Sequence, residues 1–266
     1  MIEQYPLYGG AVLLVFDPEK HVYTYQDQVV DGVTTITDSV LDKSYALMPW
    51  ALKMAREYLE SKWPVDGLVP MGSSVWNSLM EGMRKAHYSK KRSAADVGTI
   101  AHNWIEEFIK AGMMYNPDPP KPTDAQALHA VDAFLRYVDA NHVIFKASEK
   151  KVYSVKHNYA GTLDILAEVN SVENLLDVKT SNSYRKEYAL QTAAYCGAYN
   201  EEHGTNVQDR IILMLPKDGT SELNPIVRTP ADYVEDLQAF THALNLYRWA
   251  KNQGANGKRK SAKRST

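Results

Sequence analysis

Two apolar runs, each with one carboxylate in it, constrain this chain more than any other feature. Tyr159 to Asn170 contains Gly161-Thr162-Leu163-Asp164-Ile165-Leu166-Ala167, and Leu175-Leu176-Asp177-Val178-Lys179-Thr180 follows after a turn expected at Ser171 to Asn174. Runs of this length and aliphatic content, bounded by turn residues, predict paired strands buried in a sheet. An ionised carboxylate placed there needs a cation. The strand period of two puts Asp177 and Lys179 on one face, with the Val178 carbonyl between them. The fold must therefore bury a hairpin while leaving its acids open to something positive.

The flanking pattern extends that hairpin into an α/β chain. Ile144 to Val155 reads as a strand before it, Tyr184 to Asn200 as a helix after it, and Val207 to Leu215 as a further apolar strand. A final strand and helix fill residues 216–251, the helix from Ala231 to Lys251. Upstream, Ala11 to Phe16, His21 to Tyr25, Val29-Val30 and Val33 to Thr37 read as a β meander within residues 1–40. Helices are expected at Ser44 to Lys62 and Ser73 to Tyr88, separated by Trp63-Pro64-Val65-Asp66-Gly67, so that residues 41–95 form a helical arch or simply a wall of the core. Asp96 or Thr99 is expected to cap a separate helix to about Lys110, opening a core over residues 96–215, and the helix Thr123 to Asn141 follows a proline-rich loop. The whole of residues 1–251 is expected to be one domain.

Charge and cysteine usage exclude several function classes. Setting aside Lys258, Arg259, Lys260, Lys263 and Arg264 leaves 25 basic residues against 32 acidic ones. Such a body does not bind polyanions generically, because that affinity scales with the number of phosphates neutralised. Any nucleic-acid contact must come from a local groove, a bound metal, or residues 252–266, read as a basic flexible tail. Cys196 is the one cysteine in the sequence, which excludes internal disulfides, a cysteine zinc site and an all-cysteine iron-sulfur cluster within one chain. The start of the sequence lacks a basic and an apolar leader segment, and no apolar run is long enough to span a bilayer. The expectation is a cytoplasmic protein without membrane partners.

Two acids, a lysine and a backbone carbonyl on neighbouring strands suit one chemistry in particular. Phosphodiester hydrolysis needs an activated water, neutralised phosphoryl oxygens and a stabilised leaving oxygen, all of which a divalent ion supplies. Hard ions such as Mg²⁺ and Mn²⁺ take oxygen ligands and keep several waters. Asp-Val-Lys by itself reads equally well as a solvated strand end. The upstream Gly161 to Asp164 and the downstream Gln191 and Tyr195, which share a helix face, shift that balance.

Taken together, Gly98-Thr99-Ile100-Ala101-His102 with Ile105-Glu106, then Glu149, Gly161 to Asp164, Asp177 to Ser181, and Ala189-Leu190-Gln191 with Tyr195 resemble the PD-(D/E)XK nuclease superfamily, in its RecB-type exonuclease branch. The resemblance spans roughly Val33 to Leu215 and extends to phage-encoded and mitochondrial-genome-maintenance-like members. It implies an αβββαβ restriction-endonuclease-like core with a central mixed sheet flanked by helices. Asp164, Asp177, the Val178 carbonyl and His102 would hold one or two Mg²⁺ or Mn²⁺ ions, and Lys179 would polarise the attacking water. Glu149 would assist at the metal, or form a surface ion pair beside Lys150 and Lys151. Glu106 would orient His102. Gln191, Tyr195, Ser181, Arg185, Lys186, Lys90, Lys91 and Arg92 would contact DNA or support the site, with tyrosines and cations suited to single strands.

The implied activity is a deoxyribonuclease, an exonuclease on single-stranded or end-containing DNA in recombination or repair, with a single-strand-binding or recombination protein as partner. The chain departs from members that carry an iron-sulfur cluster, and it has no nucleotide-binding loop. Competing readings are a catalytically silent DNA-binding scaffold on the same fold, a structure-specific endonuclease, and a different metal-dependent hydrolase.

Overall fold

The computed structural model describes residues 1–41, 44–64, 67–181 and 183–262, with the side chains of 44–46 and 254–262 outside that description. The chain divides into two compact units, Met1–Leu41 with Ala101–Thr266 as one and Asp42–Ile100 as the other.

The larger unit is built on one mixed sheet flanked by helices. Its first strands, β1 (Glu3–Leu7), β2 (Val12–Asp17), β3 (Val22–Tyr25) and β4 (Gln28–Gly32), form an antiparallel meander. Helix α1 (Val33–Val40) follows where the last short strand of the meander, Val33 to Thr37, was expected. Despite its β-branched residues, Val33, Ile36 and Thr37 recur at helical spacing and are buried together, so tertiary burial overrides propensity. Strand β4 then pairs in parallel with β6 (Tyr159–Val169), joining the meander to the central strands.

Around β6 stand β5 (Ile144–Ser154) and β7 (Val172–Lys179), both antiparallel to it, while β8 (Asp209–Met214) runs parallel to β7 and β9 (Asn224–Arg228) closes the edge. The β6–β7 turn is Asn170-Ser171, both at positive φ (48° and 68°), rather than Ser171 to Asn174. A two-residue turn with both residues left-handed matches the twist of the strands it joins, so β7 starts early at Val172.

Helix α5 (Lys186–His203) packs Ala193, Ala194 and Tyr195 against Val152, Leu163 and Leu166, and α6 (Pro230–Ala262) adds Phe240 and Leu244 to the same core. α6 continues past Lys251, where the tail was expected to begin. Helix α4 (Ala125–Ala140) is capped by Asp124, whose side chain accepts from the Ala127 N–H at 2.9 Å. Its Phe134 meets Phe108 and Phe145 in an aromatic cluster.

In the smaller unit, α2 (Ser44–Lys62) and the first part of α3 (Ser74–Met113) form the helical segment. A Cβ on Gly82 would lie 2.0 Å from the Tyr58 hydroxyl, so glycine there admits the tyrosine. α3 is one continuous helix, not two. Instead of capping a new helix, the Thr99 hydroxyl donates back to the Ala95 carbonyl at 3.0 Å, a bond that lets threonine sit mid-helix. Among the described residues no helix is long and apolar enough to cross a membrane.

Candidate active site

Asp164 lies where the central strand loses its neighbours. Along one edge of β6, β7 pairs from Val169 to Ile165 and β4 pairs only at Tyr159 and Ala160, leaving Gly161 to Asp164 in the gap. On the other edge, Ser148 pairs with Ile165 and Lys150 with Leu163, so Glu149 stands opposite Asp164. Glu149 has φ 50°, a left-handed conformation that costs a non-glycine residue of order 1 kcal/mol and concentrates at functional sites. The β7 position after Leu176 is Asp177. Glu149, Asp164 and Asp177 thus form a row across three strands where the sheet forks.

The fork leaves backbone groups that side chains must satisfy. Asp164 Oδ2 accepts a hydrogen bond from the Val178 N–H at 2.8 Å, replacing the ladder bond lost there. On the far side β7 stays paired, Asp177 with Ile212 and Lys179 with Met214, which fixes the Asp-Val-Lys backbone. Lys179 Nζ donates to Asp177 Oδ1 at 2.8 Å. It also lies 2.7 Å from Oδ2, which has no aligned hydrogen bond, so the second oxygen is held by charge alone.

Burial shifts two of these carboxyls. It pushes the fully buried Asp177 carboxyl up to about 7, with Lys179 opposing and Asp164 reinforcing the shift. Burial and the facing Asp164 raise Glu149 to about 7 as well. Burial disfavours the Lys179 ammonium too, but the Asp177 and Asp164 carboxylates outweigh it and hold the group above its ordinary value. His102, on α3, is pushed down by burial, while Asp164 and a hydrogen bond to the Val178 backbone pull it up. The imidazole, Asp164 and Val178 therefore meet.

The row opens on a cleft of about 340 Å³ whose lining includes Glu149, Asp164, Lys179, Gln191 and Tyr195. Gln191 donates to the Thr37 hydroxyl at 3.1 Å, tying α5 to α1. Tyr195 fits against Gly161, where a Cβ would stand 2.5 Å from its Cε1 and 3.3 Å from Val33 Cγ2. Gly161→Ala is expected to cost about 1–3 kcal/mol through overpacking. Urea unfolding measures this, and an unchanged midpoint would mean the Tyr195 ring yields freely.

Other expected site residues are not among those lining this cleft. Ser181 Oγ bonds the Ser183 carbonyl at 3.1 Å and the Tyr188 hydroxyl at 3.0 Å. Arg185 precedes α5 with a guanidinium 3.8 Å from Glu187, and Lys186 is exposed at the helix start. Lys90, Lys91 and Arg92 occupy exposed positions in the smaller unit. The Glu106 carboxylate pairs with Lys110 one turn along α3.

Sequence reasoning missed the meander wall of the cleft, where Phe16, Tyr23 and Lys151 line it with the acids. The Tyr23 hydroxyl is 2.8 Å from that of Thr162. The one available signal was strand alternation, which places Lys151 on the face of Glu149.

No family model matches the chain, and no curated protein does. Solved structures similar to it include LHK-Exo in complex with dAMP, 18% identical, covering 64% of this chain and 92% of that one at a TM-score of 0.32. Another is an alkaline exonuclease, LHK-Exo, from Laribacter hongkongensis, 14% identical, covering 76% and 98% at 0.30. At that level of overlap neither says anything about what this chain does.

Proposed function

We propose that this chain is a metal-dependent nuclease of the PD-(D/E)XK type, hydrolysing phosphodiester bonds of DNA at single strands or ends. The observation that carries the reading is the row Glu149, Asp164, Asp177 with Lys179 at the fork of the sheet, of which Glu149, Asp164 and Lys179 line a cleft and Asp177 is buried behind it. Two raised carboxyls, Glu149 and Asp177, beside a lysine are costly for a purely structural surface and typical of reacting sites.

The donor set suits a hard divalent ion such as Mg²⁺ or Mn²⁺. It offers oxygens of Asp164 and Asp177, one of the latter without a hydrogen bond, and the nearby Val178 carbonyl. Among the described residues no group of three or more His, Cys, Asp or Glu side chains is placed to hold a metal ion, so waters would have to complete the coordination of an ion held here. When bound, such an ion supplies charge neutralisation and an acidified water. Lys179, anchored by Asp177, orients the attacking water and stabilises charge on the phosphoryl oxygens. Glu149, poised near neutrality, accepts a proton. His102 and Asp164 brace the Val178 peptide from its two sides.

The test is hydrolysis of end-labelled single-stranded, blunt, tailed and circular DNA. Cleavage is expected with Mg²⁺ or Mn²⁺ and none after chelation, and survival of circular substrates while linear ones are degraded would mark exonuclease action. Intact DNA in every arm with either ion would end this reading.

A further inference from the structure

The chain's own Lys151 is a cation in the cleft that the mechanism leaves unused. Lys179 has Asp177, but among the described residues Lys151 has neither an ion pair nor a hydrogen bond. Its ammonium lies over two aromatic rings, 5.1 Å from the Phe16 centroid and 5.5 Å from that of Tyr5. Aromatic faces hold a lysine head in place without neutralising it. Lys151 stands at a wall of the cleft, where burial pulls its ammonium below the ordinary lysine value and the Glu149, Glu3 and Glu106 carboxylates oppose that shift.

Register fixes how far the Lys151 backbone lies from that of the acids. Lys151 pairs with Thr162, and the Glu149 and Asp164 positions lie two residues along the same strands. Two strand residues span about 6.6 Å. That is of the order of the step between neighbouring phosphates in an extended single strand. The cleft's 340 Å³ lies at the small end of ligand pockets, roughly 300–1,000 Å³, and holds about one nucleotide rather than a duplex.

Resting on the nuclease reading, we infer that Lys151 binds the phosphate next to the scissile one in an unpaired strand. Phe16 and Tyr5 position its ammonium, and Thr162, whose hydroxyl is held by Tyr23, lies beside it on β6. The meander is then a substrate wall that selects single-stranded nucleic acid and sets which phosphate reaches the acids.

Binding without turnover tests this separately from catalysis. A fluorescein-labelled single-stranded oligonucleotide is titrated with the full-length protein in chelator, across a salt series, for wild type, Lys151→Met and Lys151→Arg. Lys151→Met should weaken binding on the order of tenfold and reduce the salt slope by about one, while Lys151→Arg stays near wild type. Replacing single phosphates by neutral methylphosphonates should weaken wild type at one position and leave Lys151→Met indifferent there. Equal affinities and slopes for wild type and Lys151→Met, or no binding by wild type, would overturn the subsite. Lys151-dependent binding without hydrolysis under any metal would instead retain the subsite and remove the nuclease reading.

Discussion

Lys179→Ala is expected to slow DNA hydrolysis on the order of a thousandfold, about 4 kcal/mol of transition-state stabilisation. Lys179 is the charged group nearest Asp177, it lines the cleft, and its backbone is held by β8. Removing it leaves Asp177 fully buried without its ion pair, so lost activity alone does not separate chemistry from folding. Asp177→Asn supplies that separation. The amide keeps the volume, and its oxygen can still accept from Lys179, but it cannot supply a carboxylate to a cation. It should lose a similar factor, with a thermal midpoint close to wild type. Single-turnover rates on labelled DNA, read with the unfolding curves, decide the matter. Rates for Lys179→Ala equal to wild type would remove Lys179 from the site.

The part of this arrangement legible in the sequence was the part set by local periodicity. Apolar runs around Asp164 and Asp177 marked two strands, and the two-residue period put Asp177 and Lys179 on one face, as the structure shows. Strand order past β6 was not legible, because β4 reaches Tyr159 from about 130 positions upstream and only tertiary contact records that. The gap in pairing at Gly161 to Asp164 follows from that long-range placement. So does the left-handed turn of the backbone at Glu149, which no propensity foretells. The same limit hid Lys151. Among three consecutive charged residues, Glu149, Lys150 and Lys151, strand alternation separates the faces but does not say which face meets the rings of Phe16 and Tyr5. α1 failed for the opposite reason: Val33-Thr34-Thr35-Ile36-Thr37 is rich in strand formers, and burial of one helical stripe decided otherwise.

Asp236→Ala should destabilise the larger unit by about 3–5 kcal/mol, because it strands a buried charge. Arg210 of β8 is fully buried, and its Nη1 donates to the Ala189 carbonyl at 3.1 Å. Its Nη2 lies 3.0 Å from Asp236 Oδ2 without the alignment of a hydrogen bond, so this contact is chiefly Coulombic. Arg228 of β9 donates to both oxygens of the same carboxylate, at 2.7 Å to Oδ1 and 3.1 Å from Nε to Oδ2. One acid on α6 thus ties two strands and, through Arg210, the α5 backbone, in the layer that holds β7 from behind. Once the acid is gone, Arg228 can turn to water because it is partly exposed, whereas Arg210 cannot. Replacing Arg210 by methionine in the Asp236→Ala background removes the stranded charge and should recover a good part of the loss. That recovery is what distinguishes an unpaired ion from simple loss of packing, since a packing defect would deepen with the second substitution. Urea unfolding of both single variants and the double variant measures the coupling directly. An Asp236→Ala midpoint within error of wild type would mean that water already reaches Arg210.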